Sequence, residues 1–212
     1  MESGHPWGSI VTDRIAIIVE GATEKALKPV LIEFLAARLP PIEMPRLRFV
    51  PMDGSIQKGD VLRRYVELLL AKHDAVVALT DVYTGSEPRD FLTASDAITK
   101  MHGWVRNNPQ FYPHAAQYEF EAWLLPFWPQ GRKLTGTTRR SPSPNPESVN
   151  HNKPPSMYLE EAYRTGKKRA YRKVDDDAAI LRGQDLAVSA AACPELKAFL
   201  NTILTLSGAP PL

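Results

Sequence analysis

Ile15-Ala-Ile-Ile-Val19, continued by Glu20-Gly21-Ala-Thr-Glu24, is an unbroken apolar run that ends on an acid and a glycine. A short run of this kind, bounded by turn signals, reads as a strand buried on both faces, as in a parallel sheet covered by helices. Ala75-Val-Val-Ala-Leu79, followed by Thr80-Asp81, repeats the pattern, and Leu47-Arg-Phe-Val50 is a shorter version between them. Helical patterns separate the three runs. Leu27, Val30, Leu31, Phe34 and Leu35 make one apolar stripe behind Thr23 as N-cap, with Pro29 expected to kink or delay the first turns. Val61, Leu62, Tyr65, Leu68 and Leu69 make another over 58–72, after an Asp53-Gly54 turn. The β-α-β-α-β order predicts an α/β domain with right-handed crossovers.

The later chain is less regular. The pattern predicts a helix within 90–104, a fourth strand over 113–119, and a short helix at Glu121-Ala-Trp-Leu-Leu125. Residues 129–155 are rich in Pro, Ser, Thr and Arg and read as an exposed loop, because they offer little apolar surface against their ordering entropy. Helices follow over 157–163, 177–181 and 194–206, the last with Pro194 in its first turn. The predicted organisation is an α/β core at 10–128, a basic proline-rich loop at 129–156, and a helical extension at 157–212 that packs on the core.

With 212 residues, 43% hydrophobic and 24% charged, the chain has the balance of an ordinary globular domain. Its formal net charge of +2 does not by itself argue for nucleic acid. One cysteine, Cys193, excludes an internal disulfide framework and a multi-cysteine zinc site. Neither a signal-peptide pattern nor an apolar run of roughly 20 residues is present, so the expectation is a cytoplasmic protein without a membrane span.

In open parallel sheets, ligands collect beyond the carboxyl ends of the strands, where strand order reverses. With a 2-1-3 order, Glu20 and Asp81 face one another across that crevice, and two carboxylates so placed call for a divalent cation, Mg2+ or Mn2+. Glu24, one helical turn on, points into the same crevice or else serves only the helix terminus. Tyr83 stands two residues after Asp81, where a second acid would have strengthened the metal reading; a tyrosine there can hydrogen-bond a phosphate. Glu119 and Glu121 alternate, so on a strand both project to one face, and their apolar neighbours Phe120, Trp123 and Leu124 make them a second pair of candidate metal ligands. His114 is a candidate ligand or base, or a hydrogen-bonded core histidine.

Cations cluster late. Arg139 and Arg140 lie in the proline-rich loop, and Lys167, Lys168, Arg169 and Arg172 lie in a decapeptide without acids, 164–173, that includes Tyr171. This pattern suits a phosphate backbone with aromatic faces for unpaired bases, or simply a solvated surface. Asp175-Asp-Asp177 reads as acids at a helix start. Lys173 is the lysine placed to steady charge on a phosphate near the metal.

Val19-Glu-Gly-x-Thr-Glu24 before a helix, with a strand ending in Asp81, resembles the Toprim domain of topoisomerases, primases and overcoming-lysogenisation-defect nucleases. Asp81-x-Tyr83, Tyr-Glu-Phe-Glu-Ala-Trp-Leu-Leu125, Pro146-Glu-x-x-Asn150 with Lys-Pro-Pro-Ser156, and Tyr171-x-Lys173 with Cys193-Pro resemble a narrower bacterial family, the domain of unknown function 4276. The resemblance implies an open, mainly parallel Toprim-like sheet of about four strands and a metal-dependent nuclease. It further implies an ATPase partner, a role in phage defence, and nucleic acid as substrate, DNA ahead of RNA. Motif matching places Glu20, Glu24, Asp81 and Glu121 in the metal site. The rival expectation is a non-catalytic partner module of an ATPase.

Overall fold

Four strands, Arg14–Val19 (β1), Arg46–Pro51 (β2), Ala75–Asp81 (β3) and Phe111–Ala116 (β4), form one sheet in the order β2-β1-β3-β4, with every neighbouring pair parallel. The computed structural model describes residues 12–21, 26–52, 54–83, 89–148 and 153–212. Helices α1 (Leu27–Ala36), α2 (Gly59–Leu70) and α3 (Ala94–Trp104) make the crossovers. A 3-10 helix, Phe120–Phe127, leads into α4 (Trp128–Thr135). Then come α5 (Pro155–Gly166), α6 (Lys173–Leu181), α7 (Leu186–Ala190) and α8 (Pro194–Leu206).

Strand β1 is apolar throughout because helices cover both of its faces. Ile15, Ile17 and Val19 join one apolar cluster with α1 and the C-terminal helices, while Ala16 and Ile18 join the other with α2 and α3. Each fully buried Ile or Val contributes roughly 1.5–3 kcal/mol, so an acid at Ile17 would break the sheet at its centre. The C-terminal helices therefore form one layer of the domain, with Leu159, Tyr163, Ile180, Leu196 and Phe199 in the same core as β1.

Local structure meets expectation at one place and departs from it at two. Pro29 falls in the first turn of α1, which begins at Leu27, in keeping with the delayed start expected, and a proline there forfeits no intrahelical bond. Strand β4 ends at Ala116, short of Glu119, because Tyr118 takes φ +72° and turns the chain out of the sheet. The stretch expected as loop contains α4, anchored by buried Trp128, whose indole N–H donates to the Arg139 carbonyl at 2.9 Å. Thr23 and Asp53, the expected cap and turn residues, lie outside the described residues.

Candidate active site

Register fixes where the first acids stand. Val19 pairs with Leu79, so Glu20 and Thr80 are side by side as β1 and β3 reach their carboxyl ends. The Thr80 hydroxyl donates to Glu20 Oε1, and Glu20 is buried. Strand alternation puts Glu20 and Thr80 in line with Ile18 and Ala78, on the α2/α3 side. Asp81 continues the Val77–Leu79 row on the opposite side, where its Oδ1 accepts the Phe120 N–H at 2.8 Å. The two acids thus reach one edge of the sheet from its two faces, on neighbouring strands. Glu24 lies outside the described residues.

Glu119 and Glu121 are not a strand pair. Glu119 is the residue that caps the 3-10 helix and Glu121 is in its first turn, so strand alternation does not set their side chains. Glu119 Oε2 accepts the Ser156 N–H at 3.0 Å, at the start of α5, where a carboxylate also complements the helix dipole. Glu121 is fully buried, with Oε1 2.7 Å from the Lys173 ammonium. Its Oε2 meets no hydrogen-bond donor among the described residues.

Lys173 opens α6 and is the electrostatic centre of this edge. Burial works against its charge, yet Glu121 first, then Glu119 and Asp81, outweigh burial and raise its pKa above the ordinary lysine value. Burial raises the pKa of Glu121, against the pull of Lys173. One turn along α6, Asp177 is fully buried and its Oδ1 accepts a hydrogen bond from the Tyr171 hydroxyl. Burial, then the charge of Glu121, pushes the Asp177 pKa up to about 8, so at neutral pH it is a carboxylic acid. Asp177 was expected only as a helix-start acid, although 177, 180 and 181 fall on one apolar stripe with Ile180 and Leu181.

Comparison with known proteins bears on the family and the fold. Residues 19–204 match the model of one family, described as a domain of unknown function (DUF4276). The chain belongs to the DUF4276 family. Among solved structures, the C-terminal region of the Burkholderia pseudomallei OLD protein aligns with 92% of this chain and 98% of its own, at 15% identity and a TM-score of 0.52. The corresponding region of the Xanthomonas campestris pv. campestris OLD protein aligns with 90% and 94%, at 16% identity and a TM-score of 0.43. No curated protein matches the sequence. The α/β Toprim-like fold that the motifs implied is the fold this DUF4276 chain has.

Several motif residues of this DUF4276 chain have structural duties. Glu147 of the Pro146-Glu147 motif accepts the Trp123 indole N–H at 3.0 Å and the Glu195 N–H at 3.2 Å, which ties the loop to the start of α8. His114 packs edge-on against Phe199, its Nε2 2.9 Å from the Thr202 hydroxyl; burial lowers its pKa to about 4, so it is a neutral core histidine. Tyr83 is partly exposed just past β3, its ring facing Arg89. Cys193 is buried and its thiol is pushed up to about 12, which leaves it inert.

The expected nucleic-acid contacts divide. Arg169 is bidentate to Asp176 at 2.7 and 2.8 Å and lies over Tyr163, Arg139 pairs with Glu161, and Arg172 pairs with Asp175 at 3.3 Å. Arg140, Lys167 and Lys168 make no ion pair among the described residues, and Lys168 takes φ +55° at the turn after α5. Of the six expected contacts, these three are the ones without an ion pair among the described residues.

Whether this edge suits a divalent ion depends on position. Glu20 and Asp81 offer the oxygens that hard cations take, but they reach the edge from opposite faces of the sheet, so the face-to-face pair expected across the crevice is not formed by these two side chains. At Glu121, expected as a ligand of a second ion, an ammonium stands instead. Glu119 accepts the Ser156 N–H through Oε2, and Glu121 holds the Lys173 ammonium through Oε1. Among the described residues, no three Asp, Glu, His or Cys side chains come together as a metal set.

Proposed function

We propose that this chain is a divalent-metal-dependent phosphodiesterase that cuts nucleic acid, DNA in preference to RNA, alongside an ATPase partner in a bacterial defence or DNA-processing system. The ATPase and the defence setting rest on the family resemblance. The chemistry rests on one observation: a half-exposed lysine at the carboxyl edge of a parallel sheet, its ammonium paired with buried Glu121 and its charge favoured by Glu119 and Asp81. By the family resemblance, Glu20, Glu24 and Asp81 are the residues that would hold Mg2+ or Mn2+, which would supply electrophilic stabilisation of a phosphodiester. Lys173 adds a fixed positive charge where negative charge grows on the phosphate oxygens, and Tyr83 is placed at the rim to orient the phosphate. Arg140, Lys167 and Lys168 steer and hold the backbone.

The test is calorimetry with Mg2+ and Mn2+, followed by nicking of supercoiled plasmid with and without a chelator and a neighbouring ATPase. Metal-dependent nicking is the expected result. A second reading, a non-catalytic module that docks on an ATPase, is favoured by Tyr83 in place of a second acid. Metal binding without nicking under every condition would select it.

A further inference from the structure

Pro126, Trp128 and Pro129, where the 3-10 helix passes into α4, and Ser141, Ser143 and Pro144, in the loop that follows, line one cavity of about 450 Å3. Hydrogen bonds hold its walls in place. The Trp128 indole N–H donates to the Arg139 carbonyl at 2.9 Å, which ties the returning chain to the start of α4. Glu147, just past the lining residue Pro146, accepts the Trp123 indole N–H and the Glu195 N–H, which ties the far end of the loop to α8. The fold therefore builds this cavity in advance of any ligand, and its volume lies within the roughly 300–1,000 Å3 of small-molecule sites.

Two arginines, Arg132 and Arg140, are the charged residues of the lining. Both are exposed, neither makes an ion pair among the described residues, and no described acid lines the cavity with them. Arg132 Nε donates to the Thr137 carbonyl at 3.3 Å, which leaves the paired Nη donors of its fork for a ligand. Such forks match the oxygens of a carboxylate or a phosphate. The other walls choose between ligands. Proline and indole rings present rigid, flat, apolar faces, and a proline loses no rotamer freedom when it is covered. The hydroxyls of Ser141 and Ser143 can serve the polar edge of a ring laid on those faces. A short acidic side chain would leave the apolar floor bare, and an acyl chain would leave the hydroxyls unmatched.

We infer that this cavity binds a single nucleotide, with its base on the proline and Trp128 floor and its phosphate on Arg132 and Arg140. The inference does not rest on the phosphodiesterase reading, since none of the acids at the sheet edge lines the cavity. A free mononucleotide and an unpaired nucleotide of a strand share this chemistry.

Calorimetry on the full chain in the presence of a chelator tests it, with deoxyadenosine 5′-monophosphate, deoxyadenosine and inorganic phosphate as separate probes. The nucleotide is expected to bind about tenfold or more tightly than either fragment, because each wall holds only one half of it. Arg132→Gln is expected to weaken the nucleotide about tenfold and to leave deoxyadenosine unchanged. Ala192→Phe, which fills the cavity without touching its charges, is expected to abolish nucleotide binding. Circular dichroism checks folding; if Ala192→Phe does not fold, the fragments and Arg132→Gln decide alone. A fluorescein-labelled oligodeoxyadenylate separates the sources: displacement by the mononucleotide assigns a strand, and no displacement assigns the free nucleotide. A nucleotide that does not bind, or binds no more tightly than phosphate, would overturn the inference. So would unchanged binding in either folded variant, or an aspartate-rich peptide that binds more tightly and is lost in the same variants.

Discussion

Replacing Asp177 by Asn is expected to stabilise the protein at neutral pH, an unusual outcome for a fully buried position. Burial first, then the charge of Glu121, raises the Asp177 pKa from 3.8 to about 8 in the folded chain. A folded value above the unfolded one means that the folded state holds the proton more tightly. The contribution is fully present below pH 3.8 and is lost as pH rises through about 8. At pH 7 the unfolded chain has ionised this carboxyl, so folding must take the proton back. The gap from 3.8 to 7 is about three pH units at ~1.4 kcal/mol each, roughly 4 kcal/mol. Asparagine needs no proton and keeps an oxygen for the Tyr171 hydroxyl. Imperfect amide geometry offsets part of the gain, so about 2–4 kcal/mol is expected at pH 7. Urea unfolding at pH 5, 6, 7 and 8 reads this directly, with the variant's advantage widening by up to ~1.4 kcal/mol per unit. A variant less stable than wild type, or a gap that does not change with pH, would mean that Asp177 is ionised in the fold and is a second partner of Lys173.

Glu147→Ala leaves the Trp123 indole and the start of α8 without their acceptor, and is expected to cost about 2 kcal/mol in urea unfolding, with cleavage per folded molecule unchanged. Loss of cleavage at native stability would place Glu147 in the chemistry instead. Replacing Arg140, Lys167 and Lys168 together by Ala is expected to weaken DNA binding and to flatten the dependence of log K on log salt by up to ~2.7, at about 0.9 per phosphate contact. A salt titration of fluorescently labelled duplex checks it; an unchanged slope would remove these three from the interface.

The sheet was legible because its strands are buried on both faces, and that condition writes itself as runs such as Ile15-Ala-Ile-Ile-Val19, with no polar residue to blur the boundaries. Strand order then brought Glu20 and Asp81 to one edge, although only the register shows that they arrive from different faces. Alternation misled at Glu119 and Glu121, because a single non-glycine residue at positive φ, Tyr118, cuts the strand short, and side-chain types do not signal that conformation reliably. Asp175-Asp-Asp177 misled for a different reason. Asp175 pairs with exposed Arg172 and Asp176 with Arg169 near the start of α6, whereas Asp177 is inside, and only the helical period separates the three. The ion pairs of Arg139 and Arg169 join residues distant enough in sequence that composition alone read them as free charge.

Glu20 is the residue on which the proposed chemistry turns, and nicking of supercoiled plasmid in Mn2+ by Glu20→Ala and wild type, at equal folded concentration, interrogates it without intermediaries. Loss of nicking with an unchanged circular dichroism spectrum and unfolding midpoint is the predicted result. Nicking at the wild-type rate would remove the acid from the reaction, and with it the metal-dependent nuclease.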